Sequence, residues 1–185
     1  MASPLLTLTP SGLYCPAGDF YIDPVKPVPR ALITHGHSDH ARPGHDAVMA
    51  TEETLAIMAI RCGEGFTLSR QAAEYGKPVG IGGVTVTFHP AGHVLGSAQI
   101  AIEGAHNGQR TRIVISGDYK RQRDPTCLPF ERVMKSNASC IRNGSFPNAA
   151  ICLEPIPSAR RSAWRRYCAK PAMTGRSICT APWTG

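Results

Sequence analysis

Thr34-His35-Gly36-His37-Ser38-Asp39-His40 sets three imidazoles and a carboxylate within the six positions 35–40. The stretch follows Ala31-Leu32-Ile33, an apolar run that reads as a strand. A strand that stops in a cluster of nitrogen and oxygen donors predicts a metal site at a sheet edge, and His with carboxylate suits zinc, manganese or iron. His35 and His37 are two apart, so on extended backbone they point the same way. Asp39 and His40 come after a turn and face a second, neighbouring ion. A single ion rarely takes four donors from so short a piece, so the stretch reads as a two-metal site. The alternative is a tag-like run of surface histidines, but such a run has no reason to sit internally behind a buried strand.

Working outward, the upstream chain reads as strands and turns. Leu5 to Thr9 is a weak first strand, and Asp19 to Pro24 a short strand ending at Asp23. Prolines 24, 27 and 29 mark the connection into Ala31. Downstream, Ala47 to Ala50 reads as a buried strand. Thr51 can cap a helix whose first turn carries Glu52 and Glu53, where acids complement the helix dipole. That helix runs over Leu55 to Arg61 and stops at Gly63. Ser69 to Tyr75 is polar and has no clear period. Val84 to Phe88 alternates in the β-branched manner of a strand and ends at His89-Pro90-Ala91-Gly92-His93. Ala98 to Ile102 is the next strand. Asn107-Gly108 predicts a hairpin into Thr111 to Asp118. Three strands thus end in potential ligands, at His35, His93 and Asp118, and rigid strand ends hold donors to the tolerance a metal demands.

The expected site puts His35, His37 and His93 on one ion, Asp39 and His40 on the second, and Asp118 between them. Two divalent ions about 3.5–4 Å apart activate water at neutral pH and stabilise the attacking and leaving oxygens of an in-line displacement at phosphorus. Asp39, His40 and Asp118 are accordingly the candidate catalytic residues. Each member also has a plainer reading. Taken alone, His93 is a satisfied loop or core histidine and Asp118 a turn cap. Asp23 either accepts an imidazole N–H or merely shapes a turn. Lys120, Arg121 and Arg123 either meet phosphate or form a solvated basic loop. His45, His89 and His106 are not read as ligands, though His89 can stand behind one.

Composition narrows the class. A chain of 185 residues with 42% hydrophobic content allows one domain, or one domain with a tail. No apolar run approaches the roughly 20 residues of a membrane span, so no membrane partner is expected. Met1 to Pro10 lacks the pattern of a signal peptide. Seven cysteines without a Cys-x-x-Cys pair suggest reduced thiols in a cytoplasmic protein. The net charge of +7 is unevenly placed. Residues 1–131 hold 11 Lys+Arg and 12 Asp+Glu, whereas residues 132–185 hold 9 Lys+Arg and a single acid, Glu154. That last segment also has no His, no Asp and no sustained apolar period apart from a short helical candidate at Ser162 to Ala169.

The joint pattern resembles the metallo-β-lactamase superfamily. The match is His-x-His-x-Asp-His at His35, His37, Asp39 and His40, the downstream His93 and the later Asp118, over roughly residues 5–131. Thioesterase and lactamase branches tend to show Gly-His-x-x-Gly-His, where this chain has Gly92-His93-Val94-Leu95-Gly96-Ser97. That form, with Ser116-Gly117-Asp118-Tyr119, resembles the nucleic-acid-processing branch of RNA 3′-end processing and DNA cross-link repair nucleases. Gly12 to Pro24 is most similar to bacterial exonucleases associated with DNA ligase, often labelled mRNA 3′-end processing factors. The resemblance implies an α/β fold, the four-layer αββα sandwich, with only its N-terminal half (residues 1–131) present. It implies two divalent ions, zinc or manganese, and metal-dependent hydrolysis of DNA or RNA phosphodiesters. A DNA ligase or helicase of the same repair pathway is the further partner implied. Small ester or thioester hydrolysis is the alternative, as is a non-catalytic fragment.

The chain departs from that family after Glu131. The family supplies a further metal-binding His from its C-terminal half, but the last His here is His106. The family's strand and Glu-Ala-Thr-aromatic element after a Pro-Phe-Glu like Pro129 to Glu131 are also not read here. The abrupt change in charge and periodicity suggests the hypothesis that residues 132–185 are an out-of-frame or otherwise aberrant, disordered basic tail; a natural basic tail is the alternative. The coding DNA decides: the hypothesis fails if neither other frame encodes a second half bearing the missing His.

Overall fold

A computed structural model describes residues 4–106, 108–134, 139–142 and 150–155. Two six-stranded sheets stack face to face. The first runs in spatial order through β1 (Thr7–Thr9), β2 (Gly12–Cys15), β3 (Phe20–Ile22), β4 (Arg30–Leu32), β5 (His45–Ala50) and β6 (Thr67–Ala72). Its β1–β2 and β2–β3 pairs are antiparallel, and β3 to β6 are mutually parallel. The second sheet is built from β7 (Pro78–Ile81), β8 (Val84–Pro90), β9 (Ala98–His106), β10 (Gln109–Ser116), β11 (Ser139–Arg142) and β12 (Ala150–Pro155). Its spatial order is β11-β12-β10-β9-β8-β7, antiparallel throughout.

Between the sheets lies the main core. Phe20, Ile22, Leu32 and Met49 of the first sheet meet Val86, Phe88, Ile100, Ile102 and Ile115 of the second. β4 and β5 are covered on both faces, because Ala31, Ile33, Val48 and Ala50 point the other way, into a second cluster with Leu55 and Met58. Parallel strands buried on both faces need continuous apolar sequence, which is why Ala31-Leu32-Ile33 and Ala47-Val48-Met49-Ala50 show no polar alternation. Leu55 and Met58 belong to α1 (Glu52–Cys62), which begins at the Thr51 cap and ends at Gly63.

The α/β αββα sandwich expected from the resemblance is not what forms. The protein is mostly β: the described residues hold twelve strands and one helix, packed on one outer face. The physical reason lies in the connections. Outer helical layers arise where parallel strands are joined by crossover helices. Here the β4–β5 crossover is residues 33–44, the donor-rich loop itself, and only the β5–β6 crossover carries a helix. The second sheet grows through hairpins and antiparallel neighbours, which need no crossover. Thr67–Ala72, which overlaps the polar and undecided Ser69 to Tyr75, is β6 with a strict half-buried/exposed alternation. Residues 132–185 show no sequence period, yet β11 and β12 lie within them, and β12 pairs along β10 from Thr111↔Pro155 to Ser116↔Ala150. The helical candidate Ser162 to Ala169 lies outside the described residues.

Candidate metal centre

The β4–β5 crossover leaves the first sheet at Ile33, whose N–H donates to Met49 O at 3.0 Å, and turns at once. Within the loop, His40 N and Ala41 N both donate to His37 O, at 3.2 and 2.7 Å. The turn brings His40 back beside His35, ring centroids 4.3 Å apart. From the second sheet, the β8–β9 connection supplies His93 and the end of β10 supplies Asp118. Three strand ends therefore converge, and the two sheets meet there through Ala98 N donating to Thr34 O at 2.7 Å.

His35, His37, His93 and Asp118 each present one donor atom, and all four atoms lie within 4.8 Å of one another. His35 Nε2 is 3.1 Å from His37 Nδ1 and 3.9 Å from Asp118 Oδ2. His93 Nε2 is 3.4 Å from His37 Nδ1 and 3.5 Å from Asp118 Oδ2. A tetrahedron drawn with bonds of about 2.1 Å has edges of about 3.4 Å. Four of the six donor pairs, at 3.1–3.9 Å, lie near that edge, so the cluster can hold one first-row cation. Their chemistry agrees, since burial and the charge of His40 push the His35 imidazole down to about 4, leaving it neutral at physiological pH. Burial likewise lowers His93, against the pull of Asp118.

Asp39 and His40 stand next to this group rather than in it. His40 Nε2 lies 3.7 Å from Asp39 Oδ2, and the Asp39 side chain is 56% exposed. Burial opposes ionisation of Asp39, but its own backbone N–H and the neighbouring imidazoles outweigh it and hold the carboxyl low. Asp23 sets the orientation of His40. Its Oδ2 lies 2.8 Å from His40 Nδ1 and accepts from Thr34 Oγ1 at 2.6 Å, while Oδ1 accepts from Thr34 N at 2.8 Å. With Nδ1 donating to Asp23, a neutral His40 keeps its lone pair on Nε2, on the side of Asp39. Burial disfavours the charged ring, yet the bond to Asp23 and its charge outweigh burial and raise the His40 pKa. Asp23 takes φ 42°, a left-handed conformation uncommon for a side-chain-bearing residue.

Close backbone approach completes the centre. A Cβ on Gly117 would come 2.4 Å from Thr34 Oγ1, so only glycine lets β10 deliver Asp118 beside His35. At Gly96, φ 78°, a Cβ would come 2.8 Å from Thr54 N. Gly96 O there accepts from Thr51 Oγ1 and Thr54 Oγ1, at 2.7 and 3.0 Å. Ser97 Oγ accepts from His93 N and Val94 N, at 3.1 and 3.2 Å, and so pins the loop that carries His93. Arg61, in the last turn of α1, donates from Nη1 to Gly36 O at 2.8 Å and reaches Ala41 O at 3.5 Å.

The remaining histidines do other work. His106 Nδ1 accepts from Leu5 N at 3.2 Å. His89 Nδ1 lies 3.1 Å from Glu131 Oε1, close enough for ion pairing but off a hydrogen-bonding direction. His45 is buried, and neither ring nitrogen has a hydrogen-bond partner. Of the basic loop, Lys120 is engaged by Asp124 at 2.8 Å. Thr54 and Arg61 carried no sequence signal as site residues, because each acts on a backbone group brought near only by the fold.

Fold and site together define a β-sandwich with a helix on one face and a set of donors at one end that can hold a metal ion. No protein-family model matches the chain. It is similar to a protein described as a probable DNA ligase from Opitutus terrae, with 32% identity over 123 residues. That alignment covers 64% of this chain and 11% of the ligase, so the chain spans only a small part of that protein's length. No helix among the described residues is long and apolar enough to cross a membrane.

Proposed function

We propose that this chain is a metal-dependent phosphodiester hydrolase acting on nucleic acid, a relative of the nuclease branch of the metallo-β-lactamase superfamily. The observation that carries the reading is the convergence of His35, His37, His93 and Asp118 from three strand ends. The likeness to a protein named as a DNA ligase supports a DNA-related role and DNA as the substrate.

His35, His37, His93 and Asp118 would hold the first ion; Asp39 and His40, with Asp118 alongside, would help to hold a second. Zinc fits the three imidazoles and one carboxylate best, with manganese next. When bound, such ions supply Lewis-acid polarisation of a phosphoryl oxygen and a lowered pKa for water. The chain's own part is positional. Asp23 holds His40 in one tautomer, Ser97 and Gly96 fix the loop of His93, and Gly117 brings Asp118 to His35. Asp39, ionised and exposed beside the cluster, would give one carboxylate oxygen to the second ion and leave the other to accept a proton from an attacking water.

The test is hydrolysis of bis(p-nitrophenyl) phosphate and of a thioester by full-length protein with added Zn²⁺ or Mn²⁺, alongside the metal-to-protein ratio. Metal-dependent phosphodiester cleavage with about two ions per chain is expected. Thioester cleavage alone, or protein that takes up no metal, would overturn the proposal.

A further inference from the structure

A groove of about 460 Å³ opens beside the donor cluster. Its floor and walls include Ile57 and Arg61 of α1, Val94 and Leu95 of the His93 loop, and His37 and Asp39 of the crossover loop. Two of these six residues belong to the cluster and its flank, so the groove runs directly out of the proposed reaction centre. The apolar members come from two different elements and leave accessible surface in spite of their chemistry: Leu95 is 50% exposed and Ile57 and Val94 are half-buried. Arg61 adds a guanidinium at the rim, and it is exposed although its Nη1 is engaged by Gly36 O.

We propose that this groove is a nucleobase subsite, taking the base of the nucleotide whose phosphate lies at the donor cluster. The inference rests on the phosphodiesterase reading above and adds to it a base-binding specificity. The chemistry selects the occupant. A flat, largely apolar ring with a polar edge is matched by aliphatic walls and a guanidinium, which stacks on or hydrogen-bonds to heterocycles. The groove volume accommodates one base with its sugar, and because His37 and Asp39 line the groove as well as the donor cluster and its flank, a base held there adjoins a phosphate held at the cluster. No group in the groove reads a base edge uniquely, so recognition is of a base as such rather than of one sequence.

The experiment is equilibrium binding to the full-length, Zn²⁺-supplemented protein, followed by calorimetry, with thymidine 5′-monophosphate and inorganic phosphate as paired probes. Neither probe requires turnover. The nucleotide is expected to bind at least tenfold more tightly than phosphate, and Leu95→Asn, which removes the apolar wall without adding charge, to erase that advantage while phosphate affinity changes less than twofold. Leu95→Met, which preserves an apolar wall, should retain it. Equal affinities in the unaltered protein, or a nucleotide advantage that survives Leu95→Asn, would overturn the subsite. Cleavage of methyl p-nitrophenyl phosphate, which carries no base, reports separately on the phosphodiesterase reading. A failed groove and a failed reaction therefore give different results.

Discussion

Asp23 is the residue on which the geometry of the crossover loop turns. One carboxylate satisfies Thr34 N, Thr34 Oγ1 and His40 Nδ1 at 2.6–2.8 Å. In Asp23→Asn the amide oxygen can keep at most the two bonds made at Oδ2, and the NH₂ group cannot accept at the other position. Partners of this kind behind a ligand are worth roughly 10–100-fold in metal affinity. Asp23→Asn should therefore weaken zinc binding by about that factor, measured by competition with a chromophoric chelator, while the circular dichroism spectrum stays unchanged. An unchanged affinity would return Asp23 to a plain turn role. Much of the site was legible residue by residue, since the spacing of His35, His37, Asp39 and His40 is local. The sequence also left open whether Asp23 orients an imidazole, and its contact with His40 decides that. Ser97 was legible only as a missing histidine; its acceptance from His93 N and Val94 N is a local turn contact that the motif comparison did not read. His45 supports a prediction of a different kind. Burial lowers its pKa below the ordinary 6.5, and no hydrogen bond compensates. Unfolded chains then bind more protons than folded ones, so stability is fully present above about pH 6.5 and is lost as pH falls toward the folded value. His45→Phe should flatten this loss, seen as a smaller drop in the urea midpoint between pH 7.5 and pH 5 in the presence of EDTA. Equal drops in both proteins would remove His45 from the account.

At the scale of elements, α1 acts as a brace between the two ligand-bearing loops. Its first turn holds Gly96 O through Thr51 and Thr54, and its last turn holds Gly36 O through Arg61. Ile57, between them, packs so closely on Gly36 that a Cβ there would come within 2.6 Å. The helix thus fixes the distance between the loops of His37 and His93, residues whose rings sit 5.0 Å apart. Thr54→Val keeps the volume, removes the donor to Gly96 O and leaves Thr51 in place. The expected cost is about 1 kcal/mol of stability, with a several-fold loss of zinc affinity because the His93 loop is freed at one end. A Thr54→Val protein with lowered melting temperature but unaltered affinity would show that the brace serves folding alone. The helix itself was legible because Thr51, Glu52, Glu53 and Gly63 are local start and stop signals. The number of layers was not. The family frame supplied two outer helical layers, whereas among the described residues only the β5–β6 crossover carries a helix, and β6 was obscured because its alternation runs among Thr, Ser, Arg and Gln rather than apolar residues.

Viewed as a whole, the molecule divides its donors between two sheets. His35 and His37 follow β4 of the first, His93 lies between β8 and β9 of the second, and Asp118 follows β10. The core that joins the sheets is apolar and non-directional; at this end the hydrogen bonds from Ala98 N to Thr34 O and from Thr51 and Thr54 to Gly96 O are polar ties across it. A cation held by all four donors adds a directional cross-link between residues more than 80 positions apart in the chain, from His35 to Asp118. Binding that requires both sheets in place exists only in the folded state, so it stabilises by mass action, about 2.7 kcal/mol when free metal is 100 times Kd. For a domain of this size that corresponds to a rise of roughly 5–10 °C in melting temperature. Zinc at increasing concentration should raise the transition accordingly, EDTA should reverse it, and His93→Ala, which removes a donor from the second sheet, should abolish it. His106→Gln is the matched control, since His106 bonds Leu5 N away from the cluster and its loss should leave the zinc-induced rise intact. A rise that persists when His93→Ala is combined with Asp118→Ala, which removes both donors of the second sheet, would mean that the metal is held within the crossover loop by His35, His37, Asp39 and His40 alone. The centre would then belong to one sheet, and the convergence of strand ends would not be what binds the ion.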